Sequence, residues 1–253
     1  MTTTTARRSR TGPPDLAGDT PTDLSATTVG VEHETKWQIS PDLPDGPQSF
    51  FDSGPLRSLT PVRRPLEFVQ SAIYLDDERH ALTRAGHSLS VVVNSGPASG
   101  VCWLTFKQSV QWRGWRDGLE LGERLTPAEV PAAMNDSGRL PIGHARRCGL
   151  TSGPLRPVGS ATQHRHKRLG RTPEGVEVAY SLDRVTFRDL DAASTPVSDY
   201  TCVEIEVNSS APAALWALAR LAQDIDDWLG LPRDRMTKAQ RAIAALDRQE
   251  RAA

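Results

Sequence analysis

The chain is short of cysteine, of aromatic rings, of long apolar runs and of any excess of one charge. Its three cysteines, Cys102, Cys148 and Cys202, are odd in number and far apart among 253 residues. They form neither a disulfide framework nor a zinc signature, and they read as small buried apolar side chains in a reducing cytoplasm. No apolar run approaches the roughly 18 residues of a membrane-spanning helix, so no membrane association is expected. Arg7-Arg8 is followed by no apolar segment, which argues against a secretory or twin-arginine signal. Lys plus Arg number 30 against 31 Asp plus Glu. That balance argues against a bulk nucleic-acid binder and leaves room for a local basic pocket.

The apolar share, 38%, is low partly because residues 1–28 are rich in Thr, Pro, Gly and Asp. They read as a disordered tail, followed by one domain over 29–247 and a short tail over 248–253. Strand patterns occupy Phe68–Tyr74, Ser88–Val93, Val101–Gln108, Trp112–Leu121, Leu155–Leu169, Val176–Val185 and Cys202–Val207. Asn94-Ser95-Gly96-Pro97 and Pro173-Glu174-Gly175 supply turns, and Ser40–Pro55 reads as a surface loop. Thr126-Pro127-Ala128-Glu129 has the form of a capping box. Leu215, Leu218, Ala222, Ile225 and Leu229 mark a helix from Ser210, its expected cap, to Gly230. A shorter helix follows Thr237 and includes Ala239, Ile243 and Leu246.

The most informative stretch is Glu32-His33-Glu34-Thr35-Lys36, flanked by Val29, Val31, Trp37 and Ile39. A strand alternates its faces with a period of two. Glu32, Glu34, Lys36 and Gln38 therefore share one face, and Val31, His33, Thr35, Trp37 and Ile39 share the other. Two carboxylates and an ammonium in a row suit a divalent cation together with a polyphosphate. Glu204 and Glu206 form a matching acidic pair far downstream. An ordinary sheet with one wet face explains such a pattern. A closed barrel with a charged lumen explains it too, with large residues such as Trp37, Ile39, Ile205 and Val207 turned outward beneath amphipathic helices.

These features resemble the CYTH superfamily, the triphosphate tunnel metalloenzymes, which include class IV adenylate cyclases, thiamine triphosphatases and inorganic triphosphatases. The family's Glu-x-Glu-x-Lys element is matched by Glu32, Glu34 and Lys36. In order there follow Ile73-Tyr74-Leu75-Asp76, Leu104-Thr105-Phe106-Lys107, Leu182-Asp183-Arg184-Val185, Glu204-Ile205-Glu206 and Thr237-Lys238-Ala239. The resemblance spans about Val29 to Leu246. It implies an α+β fold built on a closed antiparallel β-barrel of about eight strands, a tunnel, with surrounding helices.

The implied chemistry is that of a metal-dependent phosphohydrolase acting on a small-molecule triphosphate: inorganic triphosphate, thiamine triphosphate or a nucleoside triphosphate. Glu32, Glu34, Glu204, Glu206 and Asp183 are the implied ligands of Mg²⁺ or Mn²⁺. Lys36, Lys107, Arg165 and Lys167 are the implied phosphate contacts, and Glu32, Glu34 and Lys36 the catalytic set. One departure stands out. Where the family carries a Leu-Arg-x-Arg strand, this chain has Ser88-Leu89-Ser90-Val91-Val92-Val93, with Ser90 and Val92 at the arginine places. Arg84, Arg113 and Arg116 are the candidates to compensate. A tunnel that binds a phosphorylated ligand or partner without turnover, and a cyclase acting on ATP, are the rival readings. His164 and His166 share a strand face but lack a third zinc ligand. His33 reads as packed or exposed, and Tyr74, Trp216 and Trp228 read as packing residues. The oligomeric state is open.

Overall fold

The computed structural model describes residues 27–42, 46–95, 102–190 and 196–252. The expected tail over 1–28 lies outside these residues except for Thr27 and Thr28, which already belong to the first strand. Gly96 and Pro97 of the expected turn also lie outside them.

Period-two alternation produces the strands. They are β1 (Thr27–Gln38), β2 (Thr60–Pro61), β3 (Leu66–Asp76), β4 (Ser88–Asn94), β5 (Cys102–Trp112), β6 (Arg116–Leu125), β7 (Arg156–Arg171), β8 (Glu177–Arg188) and β9 (Pro196–Val207). The sheet has nine strands in the order β2-β7-β3-β4-β5-β6-β1-β9-β8, and β8 also pairs with β7. Eight strands therefore close into a ring, all neighbours antiparallel, with β2 attached to β7 outside it. Closure removes the exposed strand edges that an open sheet would present.

The expected strand Trp112–Leu121 is shifted. Trp112 ends β5, and Arg113 to Trp115 form a turn in which Gly114 takes φ +92°. A left-handed backbone at that point breaks the apolar run in two. The expected loop Ser40–Pro55 is not loop throughout its described residues. It contains the helix α1 (Gly46–Phe51), and Phe51 is buried against Tyr180. Thr126 and Glu129 form their reciprocal cap over a short 3-10 turn.

Among the described residues six α-helices accompany the ring: α1, α2 (Ala81–Arg84), α3 (Val130–Ala133), α4 (Leu140–Arg147), α5 (Pro212–Leu229) and α6 (Lys238–Ala252). Two apolar clusters lie outside the barrel wall. In one, Trp37, Val203, Ile205, Val207 and Leu182 meet Leu218, Leu221, Ala222 and Ile225 of α5. In the other, Leu89, Val91, Leu104, Phe106 and Leu121 meet Ile142 and Ala145 of α4. Trp228 packs on Phe50, whereas Trp216 points outward beneath Arg220 instead of packing. Gly230 ends α5 in the left-handed region, φ +63°. Ser210 does not cap α5; Ala211 holds that position and the Ser210 hydroxyl binds His33. Cys102 and Cys202 are buried as expected, but Cys148 is exposed beside His144.

The third cluster lies within the ring. Tyr74, Ala161, Val185, Tyr200 and Cys202 project from the lumen face and pack against Ala239 and Ala242 of α6. This helix was expected around the barrel and instead closes one end of it. Small side chains make the approach possible: a Cβ at Gly159 would stand 3.3 Å from Leu246 Cδ1. The helix also continues through the stretch expected as a C-terminal tail.

Trp37 is fully buried, and its indole N–H donates to Asp226 Oδ1 at 2.7 Å. Trp37→Ala therefore removes both a core ring and a tie between β1 and α5. Urea unfolding is expected to show a loss of about 3–5 kcal/mol.

Candidate functional site

Directly paired residues of antiparallel strands share a face, so the register identifies the lumen. Glu34 pairs with Arg116 and Glu206, Lys36 with Glu204, Lys107 with Glu120 and Ser88, and Arg165 with Asp183. Ser181 stands opposite both Lys167 and Glu204. The charged face of β1 thus lines the channel, while Trp37 and His33 occupy the opposite, outward face. Ser90 pairs with Tyr74 and Thr105, and Val92 with Ala72 and Trp103. The two positions without arginine therefore also face the lumen.

The sequence-nominated carboxylates separate into two groups. Glu32, Glu34 and Glu206 bring ligand oxygens within 4.8 Å of one another. Asp183 and Glu204 lie together with Cys202 in a second group of the same tightness. Cations occupy the second group. Arg165 donates to Asp183 Oδ1 at 3.0 Å and Glu204 Oε1 at 3.3 Å. Lys238, reaching in from the first turn of α6, donates to Asp183 Oδ2 at 2.7 Å and Glu204 Oε2 at 3.1 Å. Two carboxylates and two cations there neutralise one another. In the first group Lys107 donates to both oxygens of Glu32, at 2.7 and 2.8 Å. Arg116 donates to Glu34 at 2.6 Å and Lys167 to Glu206 at 2.8 Å.

Lys36 differs from the other lumen cations. Its side chain is 4% exposed, and its ion pair among the described residues is Glu34 at 3.9 Å, beyond hydrogen-bond reach. Burial lowers its pKa, with Arg116 adding to the effect and Glu34 opposing it. A buried ammonium without a hydrogen-bonded partner is costly and is a ready seat for an anionic oxygen.

The carboxylates feel opposite fields. Burial, then crowding by Glu34, Glu120 and Glu206, raises the Glu32 pKa well above the ordinary value despite Lys107. Like charges gathered in a dry space favour either a proton or a metal cation. Burial also opposes ionisation of Glu206, but Lys167 and Lys107 outweigh it and hold the pKa at about 2. At Glu204, Lys238 and Arg165 likewise overcome burial and hold the pKa well below the usual range.

Three lumen participants were not nominated from the sequence as site residues: Arg116, Glu120 and Lys238. Arg116 had been named as a possible substitute for the missing arginines, and the register with Glu34 puts it in the lumen. Of its fellow candidates, Arg113 binds Asp117 on the outer face, and Arg84 is exposed. Lys238 carried a signal as part of Thr237-Lys238-Ala239, but its reach depends on α6 entering the barrel. Asp76, in the Tyr-Asp element, is buried and accepts N–H bonds from Asp77, Leu82 and Thr83, holding the α2 turn. His164 is exposed, and His166 stands 3.6 Å from Glu67 without a zinc-binding set.

No protein-family model and no curated protein matches the chain. Solved structures do match. A proposed adenylate cyclase from Bacillus halodurans aligns with a TM-score of 0.54 at 16% identity, over 84% of this chain and 97% of its own. A protein from Pyrococcus horikoshii aligns with a TM-score of 0.52 at 15% identity, over 84% and 98%. A proposed adenylyl cyclase from Hippeastrum with a dominant triphosphatase activity aligns with a TM-score of 0.50 at 15% identity, over 85% and 94%. At these identities the shared property is the fold. No helix among the described residues is long and apolar enough to cross a membrane.

Two measurements check the electrostatic reading. Arg165→Met leaves Asp183 and Glu204 with Lys238 alone, and denaturant titration is expected to show a loss of about 3–5 kcal/mol. The depressed Glu206 pKa gives a defined acid response. A carboxylate whose folded pKa lies below its unfolded value contributes stability that is present above the unfolded value, 4.5. That stability is lost as pH falls from there towards about 2. Glu206→Gln is expected to flatten the stability-versus-pH curve over that interval.

Proposed function

Taking the triphosphate-tunnel fold of this chain as the premise, we propose that the protein is a metal-dependent hydrolase of a small-molecule triphosphate. The observation that carries the reading is the buried ammonium of Lys36, 3.9 Å from Glu34 and without a closer partner among the described residues, beside the carboxylates Glu32, Glu34 and Glu206 inside a closed barrel. An anion seat next to a cation seat is what a metal–polyphosphate complex requires.

The oxygen-only donor set of Glu32, Glu34 and Glu206 fits a hard divalent cation such as Mg²⁺ or Mn²⁺. When bound, such an ion would neutralise charge on the terminal phosphate and ready a water molecule for in-line attack. The chain's own residues do the remaining work. Lys36 receives a phosphate oxygen. Lys107 and Lys167 transfer hydrogen bonds from Glu32 and Glu206 to phosphate oxygens, which frees those carboxylates. Arg165 offers its guanidinium from the middle of the wall. The barrel wall and α6 limit water access from one end, which strengthens each of these contacts and favours positioning over covalent chemistry. Asp183 and Glu204, already neutralised by Arg165 and Lys238, serve in this reading to orient Arg165 more than to hold the metal. Inorganic triphosphate, thiamine triphosphate and nucleoside triphosphates remain the candidate substrates.

A specific observation favours a second reading, a tunnel that binds a phosphorylated ligand without turnover. Ser90 and Val92 face the lumen where the resemblance calls for arginines. Each missing charge-assisted contact is worth about 1.5–3 kcal/mol. Phosphate release from a triphosphate panel with Mg²⁺ or Mn²⁺ separates the readings. Hydrolysis is expected to yield orthophosphate, and Glu34→Ala is expected to lower kcat by about 10²-fold or more. Release of pyrophosphate with a cyclic product from ATP would indicate a cyclase. Metal-dependent binding without release would favour the binder. Turnover indifferent to Glu34→Ala would remove the assigned metal seat.

A further inference from the structure

The outer face of β1 carries a second constellation that the tunnel chemistry does not use. The β1–β6 register sets His33 opposite Asp117. The β1–β9 register sets His33 opposite Val207, and the chain leaving β9 there brings Ser210 over the imidazole three residues later. His33 Nδ1 lies 2.7 Å from Asp117 Oδ1, and Nε2 lies 3.0 Å from Ser210 Oγ. Ser210 is exposed, whereas His33 and Asp117 are buried.

The hydrogen-bond partners fix the roles. Asp117 accepts from Trp115 Nε1 at 2.8 Å and from Arg113 Nε at 2.6 Å, besides its bond to His33. Burial opposes its ionisation, but these bonds hold its pKa below the ordinary value. An ionised carboxylate can only accept, so Nδ1 carries the imidazole proton. Nε2 then offers a lone pair to the Ser210 hydroxyl. This is the arrangement of a nucleophile, a base and a group that orients the base.

Two neighbouring features supply what an acyl-transfer site also needs. Ser210 lies one residue before Ala211, the cap of the 18-residue helix α5, whose first turn leaves the N–H of Ala213 without an intrahelical partner. That end of a helix favours developing negative charge. Along the same face of β1 from His33 lie Val31 and Val29, 41% and 67% exposed, an apolar strip on that face.

We propose that Ser210, His33 and Asp117 form a second, surface acyl-transfer site that accepts carboxylic esters with short apolar acyl groups. Ser210 Oγ adds to the ester carbonyl while its proton passes to His33 Nε2. The tetrahedral adduct expels the alcohol, which takes that proton. Water then attacks the acyl-serine, giving one proton to Nε2. Collapse releases the carboxylic acid, and Ser210 Oγ recovers the proton. Asp117 is a positioning residue throughout, because it touches the imidazole and not the ester. The Val31–Val29 strip receives the acyl chain.

The test uses the full-length protein, a fluorophosphonate–biotin probe with peptide mapping by mass spectrometry, and p-nitrophenyl butyrate. The expected label maps to Ser210, and Ser210→Ala abolishes it. Ser210→Ala is also expected to slow ester hydrolysis by about 10²-fold or more with an unchanged circular dichroism spectrum. Asp117→Asn is expected to lower kcat with little change in KM, as loss of the correct tautomer requires. Labelling that maps elsewhere or is absent overturns the proposal. So does butyrate ester hydrolysis by Ser210→Ala at the rate of the unaltered chain.

Discussion

Charge held inside a closed barrel wall is the constraint from which the rest of this structure follows. A carboxylate or ammonium withdrawn from water must find a partner, or change its protonation, at a cost of several kcal/mol. The lumen meets this demand by pairing: Lys107 with Glu32, Arg116 with Glu34, Lys167 with Glu206, and Arg165 and Lys238 with Asp183 and Glu204. These pairs span β1, β5, β6, β7, β8, β9 and α6, so they also fix the relative placement of the elements that carry them. Two features stand apart within this paired lumen: Glu32, whose pKa burial and neighbouring acids raise despite Lys107, and Lys36, whose ion pair with Glu34 at 3.9 Å is longer than the others. Burial makes both costly in the free protein, and under the proposed function a cation and an anion would relieve them together.

The part of this arrangement that is local was legible in the sequence. Alternation through Glu32, Glu34 and Lys36 assigned one face of β1 to charge and the other to Trp37, and the register bears this out. Glu204 and Glu206 on β9 were found the same way, because they belong to one short strand. The break between β5 and β6 was missed because Trp112 and Trp115 continue an apolar pattern across a turn that only the Gly114 backbone reveals. The place of α6 was missed for a different reason. Its apolar stripe is the same whether it packs outside a barrel or inside its end, and only the small residues Ala239, Ala242 and Gly159 permit the latter.

Long-range registry explains the remaining surprises. Arg116 enters the lumen because β6 pairs with β1, a fact that no short-range pattern contains. The sequence reads His33 as packed or exposed and Ser210 as a helix cap. They meet because β9 returns beside β1, and 177 residues of chain separate them. Strand β1 therefore presents polar side chains on both faces: Glu32, Glu34 and Lys36 inward, the residues of the proposed metal and phosphate seats, and an oriented imidazole outward.

The most direct test of the central claim is an anomalous diffraction map from crystals soaked with Mn²⁺ and inorganic triphosphate. The account predicts a manganese peak ligated by Glu32, Glu34 and Glu206, with a phosphate oxygen on Lys36 Nζ and Lys107 turned away from Glu32. Manganese bound outside the barrel, with the lumen ion pairs intact, would contradict it.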